Sequence, residues 1–171
     1  PTTASFLLDN DGSNGWSLGD ITITGFGSGV DLPVAGDWNG DGIDEIGVWV
    51  AGTLRFWLDA NGNDTWDDVS GGDTLTAVFG LAGDRPVAGD WNGDGVSEVG
   101  VWRPSTRRFL LDNNGNGRWD GVTDGDTLTA AFGLETDMPV TGDWNGDGRD
   151  DVGFWRPATR RFYLDTNGYA A

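Results

Sequence analysis

The six-residue sequence DWNGDG occurs three times in the chain, at residues 37–42, 90–95 and 143–148, with a constant spacing of 53 residues. Residues 33–85 align with residues 86–138 without a gap and are identical at 35 of the 53 positions. A period of this length is typical of repeat architectures, in which each repeat is one supersecondary unit that packs on its neighbours. The fold must therefore be built from stacked copies of one unit.

The repeat divides the chain into four pieces. Residues 33–85 and 86–138 are whole units, and residues 139–171 begin a third unit. Residues 1–32 match the second half of a unit, because FLLDNDGSNGW at residues 6–16 parallels FLLDNNGNGRW at residues 109–119.

Each unit predicts four short strands and no helix longer than a turn, because its apolar residues alternate or form short runs. In the second unit we expect strand A at residues 86–89, strand B at 98–103, strand C at 108–112 and strand D at 127–132. Four antiparallel strands per repeat are typical of a β-propeller blade. The sequence therefore predicts an all-β fold with two whole blades, an N-terminal partial blade (strands C and D) and a C-terminal partial blade (strands A, B and C).

About three blades are fewer than the four to eight of a typical closed propeller. Exposed strand edges favour pairing with another chain. We therefore expect either a piece of a longer propeller or a ring closed by oligomerisation, for which a dimer of about six blades is the simplest form.

The composition excludes several classes of function. The formal net charge is −18, which disfavours nucleic acid or an anionic membrane as a partner, and no apolar run is long enough to span a membrane. The chain has no cysteine and no histidine, so disulfides, thiol catalysis, histidine-based triads and the usual zinc sites are excluded. We find no nucleophile beside a base and no phosphate-binding loop, and we predict that the chain is not an enzyme.

The loop between strands A and B carries oxygen-bearing residues at positions 1, 3, 5 and 9, a glycine at position 6 and a main-chain carbonyl at position 7. Calcium prefers six to eight hard oxygens, and alternate positions of a curled loop supply them. A glutamate at position 12 is missing, so the loops are not EF-hands. The predicted ligands are Asp37, Asn39, Asp41, Ile43 and Glu45; Asp90, Asn92, Asp94, Val96 and Glu98; and Asp143, Asn145, Asp147, Arg149 and Asp151.

The loop between strands C and D has similar spacing but fewer carboxylates, and we expect weaker calcium binding there. The predicted ligands are Asp59, Asn61, Asn63, Thr65 and Asp67; Asp112, Asn114, Asn116, Arg118 and Asp120; and, in the N-terminal copy, Asp9, Asp11 and Ser13. The alternative interpretation is that these residues only favour turns. Five of these six loops carry an acid at position 9, and the N-terminal copy has Ser17 there. The shared oxygen spacing of the five, and the repulsion of unneutralised acids, favour the cation sites.

The repeat resembles the FG-GAP (VCBS-type) repeat of integrin α-subunits and bacterial surface propellers. The resemblance is carried by the A–B loop and by the FG dipeptides at residues 26–27, 79–80 and 132–133, although the C–D loop departs from integrin repeats. It implies a calcium-binding extracellular or cell-surface module that mediates binding or adhesion, with calcium mainly structural. The alternatives are a carbohydrate-binding or accessory domain of a secreted enzyme, and a purely structural spacer.

Because strand direction alternates, the A–B and C–D loops are predicted to lie at the same end of each unit. The opposite end is rich in arginine and is a candidate face for an acidic glycan or protein ligand, since guanidinium groups suit carboxylates. Its predicted residues are Arg103, Arg107, Arg108, Arg156, Arg160 and Arg161. The alternative is that these arginines only balance neighbouring acids. The tryptophans that recur in the A–B loops and on strand B are predicted to pack between blades.

Overall fold

The computed structural model describes residues 4–168, and these form an all-β structure of four antiparallel sheets. Within these residues, helical structure is confined to two short pieces, α1 (Asp68–Gly71) and a 3₁₀ turn at Val122–Asp124. The strands are β1 (Ser5–Leu8), β2 (Ile21–Thr24), β3 (Leu32–Gly36), β4 (Glu45–Val50), β5 (Arg55–Leu58), β6 (Thr74–Leu75), β7 (Arg85–Gly89), β8 (Glu98–Arg103), β9 (Arg108–Leu111), β10 (Thr127–Leu128), β11 (Met138–Gly142), β12 (Asp151–Arg156) and β13 (Arg161–Leu164).

The sheet boundaries follow the repeat boundaries. The two whole repeats form four-stranded sheets in the order β3-β4-β5-β6 and β7-β8-β9-β10, each strand pairing with the next along the chain. The last sheet contains β11-β12-β13 and the first contains β1-β2. The predicted antiparallel strands are confirmed, as is their sequence A, B, C, D in each whole unit.

Strand D is much shorter than predicted, because a threonine side chain interrupts its ladder. In the second repeat the Phe109 N–H group donates to the Thr129 hydroxyl at 3.0 Å, in place of a main-chain carbonyl. The chain still runs beside strand C, since the Thr129 and Phe132 N–H groups donate to the carbonyls of Phe109 and Arg107. Regular pairing is therefore limited to Thr127–Leu128.

The core lies between successive sheets. One face of the first whole sheet, including Phe56 and Trp49, packs against Val99 and Val101 of the next sheet. The second sheet repeats this contact, with Phe109 packing against Phe154 of the third. The loop and strand-B tryptophans of the whole repeats are buried as predicted: Trp38, Trp49, Trp91 and Trp102.

Strands A of successive repeats lie beside each other. Strand β7 contacts both β3 and β11. The loops that follow these strands are also joined, because the Ser97 N–H donates to the Asp37 carbonyl at 2.7 Å and the Asp150 N–H donates to the Asp90 carbonyl at 2.8 Å. The three A–B loops therefore form one continuous row.

Candidate metal centres

The first A–B loop is curled around the carboxylate at its first position. Asp37 accepts the N–H group of Gly40 at 2.6 Å and that of Gly42 at 2.7 Å. The side chains at the third and fifth positions, Asn39 and Asp41, each accept the N–H group two residues further along at 2.9 Å. Asx turns of this kind bring alternate side chains to one side of the loop.

The other two A–B loops have the same structure. Asp90 accepts N–H groups from Gly93 and Gly95 at 2.6 and 2.8 Å, and Asp143 makes the equivalent bonds at 2.6 and 3.0 Å. Gly93 and Gly95 have φ values of +82° and +89°. Glycine adopts this left-handed conformation without strain, which explains why the DWNGDG sequence has glycine at both positions.

The ninth loop position is the first residue of strand B. Its pairing with strand A holds this residue beside the loop. Glu45 pairs with Gly36 in this ladder, and Glu98 occupies the equivalent place in the next repeat. Both glutamates are buried. Their carboxylates accept the N–H groups of Trp38 at 3.1 Å and Trp91 at 3.0 Å.

Two of the three A–B loops bring their acids close enough to hold a metal ion. One carboxylate oxygen from each of Asp37, Asp41 and Glu45 lies within 4.8 Å of the others, and the equivalent acids of the second loop form the same group: Asp90, Asp94 and Glu98. Unneutralised charges at this separation repel by about 3 kcal/mol per pair at an effective dielectric near 20. A divalent cation would remove that repulsion, and the oxygen donors suit a hard ion.

The third A–B loop differs at its ninth position, where Asp151 replaces glutamate. The side chain of Asp151 is buried and one methylene shorter, and it accepts the Asn145 amide at 3.0 Å. Within residues 4–168, Asp143, Asp147 and Asp151 do not form a three-acid group of the kind seen in the first two loops.

Burial perturbs the acids at the base of these loops. It raises the pKa of Glu98 to about 8, and the neighbouring charges of Asp94 and Asp90 act in the same direction. Burial likewise raises the pKa of Asp112, in the adjacent C–D loop, to about 6. Without a cation, Glu98 therefore favours its protonated form at neutral pH.

The C–D loops of the whole repeats curl in the same manner. Asp59 is fully buried and accepts the N–H groups of Asn63 at 3.1 Å and Asp64 at 2.7 Å. The amides of Asn61 and Asn63 donate to the Asp67 carboxylate at 3.2 and 3.1 Å. The equivalent residues of the second repeat make the same contacts: Asp112, Asn114, Asn116 and Asp120.

The N-terminal C–D loop is built from Asp9, Asp11 and Ser13. Ser17 occupies the ninth position and donates its hydroxyl to Asp11 at 2.6 Å. Hydrogen bonds from Ser17 and Ser13 lower the pKa of Asp11 to about 2. Carboxylate oxygens of Asp9, Asp11 and a further acid, Asp20, lie within 4.8 Å of one another.

The sequence prediction missed one acid in each C–D loop. Asp20, Asp73 and Asp126 directly precede strand D, and the latter two are buried. Asp73 accepts the N–H group of Asp67 at 2.9 Å. An aspartate recurs at this position with the repeat period, and this recurrence could have identified the missed acids. The position lies outside the nine-residue loop pattern from which the ligands were predicted. The main-chain carbonyls of Ile43, Val96, Arg149, Thr65 and Arg118 stay predicted ligands.

The A–B and C–D loops of one repeat lie at the same end of the sheet, as predicted. The Asn39 amide of an A–B loop donates to the Ala60 carbonyl of the neighbouring C–D loop at 3.4 Å. A cleft of about 380 Å³ between the two whole repeats is lined by both loops of the second, including Asp94, Glu98 and Asn116. In the two whole repeats the candidate cation sites therefore share one end of the sheets.

Half of the predicted arginine face is occupied by internal contacts. Arg103 pairs with Asp84 at 2.8 Å, Arg156 pairs with Asp137 at 2.7 Å, and Arg108 donates to the Thr129 carbonyl at 3.2 Å. The other three predicted residues are exposed: Arg107, Arg160 and Arg161. Only these three are placed to contact a ligand without breaking an internal bond.

We expect the substitution Arg156→Leu to lower the free energy of unfolding by about 2–3 kcal/mol at pH 7, because it leaves the buried Asp137 carboxylate without its cation. The hydrogen bond from Arg156 lowers the pKa of Asp137, so the pair stabilises the fold above the ordinary aspartate pKa. The loss should shrink as the pH falls through the folded-state pKa. Urea denaturation at pH 7 and pH 3.5 measures both values.

Arg160→Leu is the matched control. Arg160 is exposed, and its substitution removes the same charge four residues away from Arg156. A loss for Arg156→Leu no greater than for Arg160→Leu would contradict the structural role of the pair.

Comparison of the chain with protein-family models and with curated proteins gives no match. Among residues 4–168, no helix has the length and apolar character needed to cross a membrane.

Proposed function

We propose that the chain is a calcium-binding β-propeller module of the FG-GAP type, in which calcium mainly stabilises the fold. The observation that carries this proposal is the convergence of Asp90, Asp94 and Glu98 within 4.8 Å, repeated in the preceding loop. Calcium accepts many oxygens at flexible geometry, whereas magnesium retains its waters and rarely occupies an all-protein site. Calcium is therefore the ion that these loops fit best.

The side-by-side arrangement of strands β3, β7 and β11 supports the propeller architecture. In a propeller, each blade is a four-stranded sheet and the blades repeat around a central channel. Here the first strands of successive sheets are neighbours, and consecutive sheets pack face to face. This is the arrangement expected of adjacent blades.

The last sheet has an apolar face that favours a further blade. Phe162 is 63% exposed, whereas Phe56 and Phe109, at the same position of the whole repeats, are fully buried by the next sheet. Leu164 is also exposed, unlike its equivalent Leu111. We propose that another sheet of this repeat covers Phe162, from a second copy of the chain or from a longer chain.

An extracellular or cell-surface location fits this proposal, since extracellular calcium modules bind with dissociation constants of about 10⁻⁴–10⁻³ M. The role in binding or adhesion follows from the resemblance, and the exposed arginines of the opposite end are the proposed contact: Arg107, Arg160 and Arg161. Guanidinium groups bind carboxylates bidentately, so an acidic glycan is the ligand class that they suit.

We expect the chain to bind sialylated or uronic-acid glycans on an array in calcium, and to lose at least about tenfold in apparent affinity with Arg107→Ala, Arg160→Ala and Arg161→Ala combined. Arg118→Ala is the control, because Arg118 is an exposed arginine in a C–D loop at the other end and the substitution keeps the main-chain carbonyl that is predicted to bind calcium. Equal binding by the triple variant and the control would contradict this ligand face.

A further inference from the structure

Two of the acids that precede strand D, Asp73 and Asp126, are buried with one carboxylate oxygen unpaired among residues 4–168. Asp73 and Asp126 are 4% and 3% exposed. In each, Oδ2 accepts a main-chain N–H of the C–D loop, at 2.9 Å in Asp73 and 2.8 Å in Asp126, while Oδ1 has no hydrogen-bond partner within the described part of the chain. Burying a carboxylate oxygen without a hydrogen bond lowers the free energy of unfolding, so such an oxygen calls for a physical explanation.

The loop places this unpaired oxygen beside the other candidate ligands. The N–H groups that hold Asp73 and Asp126 belong to Asp67 and Asp120, at the ninth loop position. A β-carbon on Gly125, the residue before Asp126, would lie 3.2 Å from the Asn114 β-carbon, at the third position. The Asp126 carboxylate is thus held at the ninth position of the loop, and the main chain just before it lies against the third.

The N-terminal copy shows the same arrangement independently. Asp20 occupies the position equivalent to Asp73 and also has a buried Oδ1 without a partner. Its carboxylate lies within 4.8 Å of those of Asp9 and Asp11, at the first and third loop positions. An unpaired carboxylate oxygen therefore recurs at the same repeat position in three copies, which indicates that each copy binds the same kind of ligand there.

We propose that each C–D loop is a second class of calcium site, completed by the acid that precedes strand D: Asp20, Asp73 or Asp126. In the second repeat the loop itself supplies five oxygens, from Asp112, Asn114, Asn116, the Arg118 carbonyl and Asp120. Calcium requires at least six, and Asp126 supplies the sixth. This inference rests on the proposed function for the identity of the ion. It concerns the C–D loops, whereas the proposed function is argued from the A–B loops.

The segment between the ninth loop position and strand D determines where the added acid lies. In the second repeat the 3₁₀ turn at Val122–Asp124 reverses the chain, and in the first repeat α1 does so. The Asn114 amide donates to the Asp124 carbonyl at 2.8 Å and fixes this turn to the loop. The turn therefore returns the chain so that Asp126 closes the site from the strand side.

The test compares Asp126→Asn with Asp124→Asn in the intact chain. Asp126→Asn removes the charge and retains an acceptor for the Asp120 N–H. Asp124 is an exposed acid two residues away with the same charge, and Asp124→Asn keeps the main-chain carbonyl that accepts the Asn114 amide. Calorimetric titration of the calcium-free chain with CaCl₂ should show that Asp126→Asn weakens one site by at least about tenfold. Asp124→Asn should bind like the unchanged chain, and equal binding by both variants would overturn the inference.

Thermal melts separate ligation from a merely structural role. In chelator, Asp126→Asn should melt at the same temperature as the unchanged chain or higher, because it removes an unpaired buried charge; in calcium it should melt lower. A residue needed only for packing would lower the melting temperature in both conditions, and that result would overturn the inference.

The double variant Asp90→Asn and Asp94→Asn distinguishes this inference from the proposed function. It should remove an A–B site and leave the Asp126-dependent site in the titration. Calcium binding that depends on Asp90 and Asp94 but not on Asp126 would overturn the inference alone. Absence of any calcium binding by the unchanged chain would overturn both.

Discussion

In excess chelator the chain is expected to melt at least about 6 °C lower than in about 10 mM calcium. With dissociation constants of about 10⁻⁴–10⁻³ M, each occupied site adds about 1.4–2.7 kcal/mol to the free energy of unfolding at that concentration. For a chain of this length, one kcal/mol corresponds to about 2–4 °C. Two or three occupied A–B loops therefore give the expected shift, which circular dichroism melts measure.

The variant Asp90→Ala with Asp94→Ala should lose part of this calcium-dependent gain, because it removes two acids of one three-acid group. The control is Asp124→Ala with Glu135→Ala, which removes the same charge from two exposed positions outside the A–B loops. An equal calcium response in the two double variants would contradict a specific site and indicate general screening of the acidic surface.

The second large effect is expected in the core, where Phe109→Ala should lower the free energy of unfolding by about 3–5 kcal/mol. Phe109 is fully buried between two sheets and lies 5.2 Å from Phe154, ring centroid to ring centroid. Its removal leaves a cavity at the contact that joins successive repeats. Chemical denaturation in calcium measures the change.

Phe162→Ala is the matched control, since Phe162 occupies the same repeat position but is 63% exposed. In a monomeric sample its cost should stay within about 0.5 kcal/mol. If a second copy covers Phe162, light scattering should show a mass above that of one chain, and Phe162→Ala should lower it. Equal costs for the two variants in a monomer would contradict the packing of repeats described here.

The repeat is the reason that much of the fold could be predicted from the sequence. Strand B was predicted at residues 98–103 and is found at Glu98–Arg103, because the three aligned copies mark where the turns recur. The Asp-x-Asn-x-Asp-Gly spacing also determines the local curl of the A–B loops. The local hydrogen bonds of Asp90 with Gly93 and Gly95 show this.

Contacts between segments that are distant in sequence could not be predicted. Strand D is short because the Thr129 hydroxyl replaces a main-chain acceptor, which no pattern of apolar residues reveals. Arg103 pairs with Asp84, which lies 19 residues earlier in the sequence. This pair depends on the strand register, and it occupies Arg103 so that the side chain is not free to contact a ligand. Asp126 joins the C–D loop only because a turn reverses the chain between them.

The claim that the loops bind calcium is tested most directly by a crystal structure determined in about 10 mM calcium, with anomalous differences used to locate the ion. We expect a peak in the second A–B loop at about 2.3–2.6 Å from oxygens of Asp90, Asp94 and Glu98. A second A–B loop without a peak, with these three side chains turned toward solvent, would contradict the account.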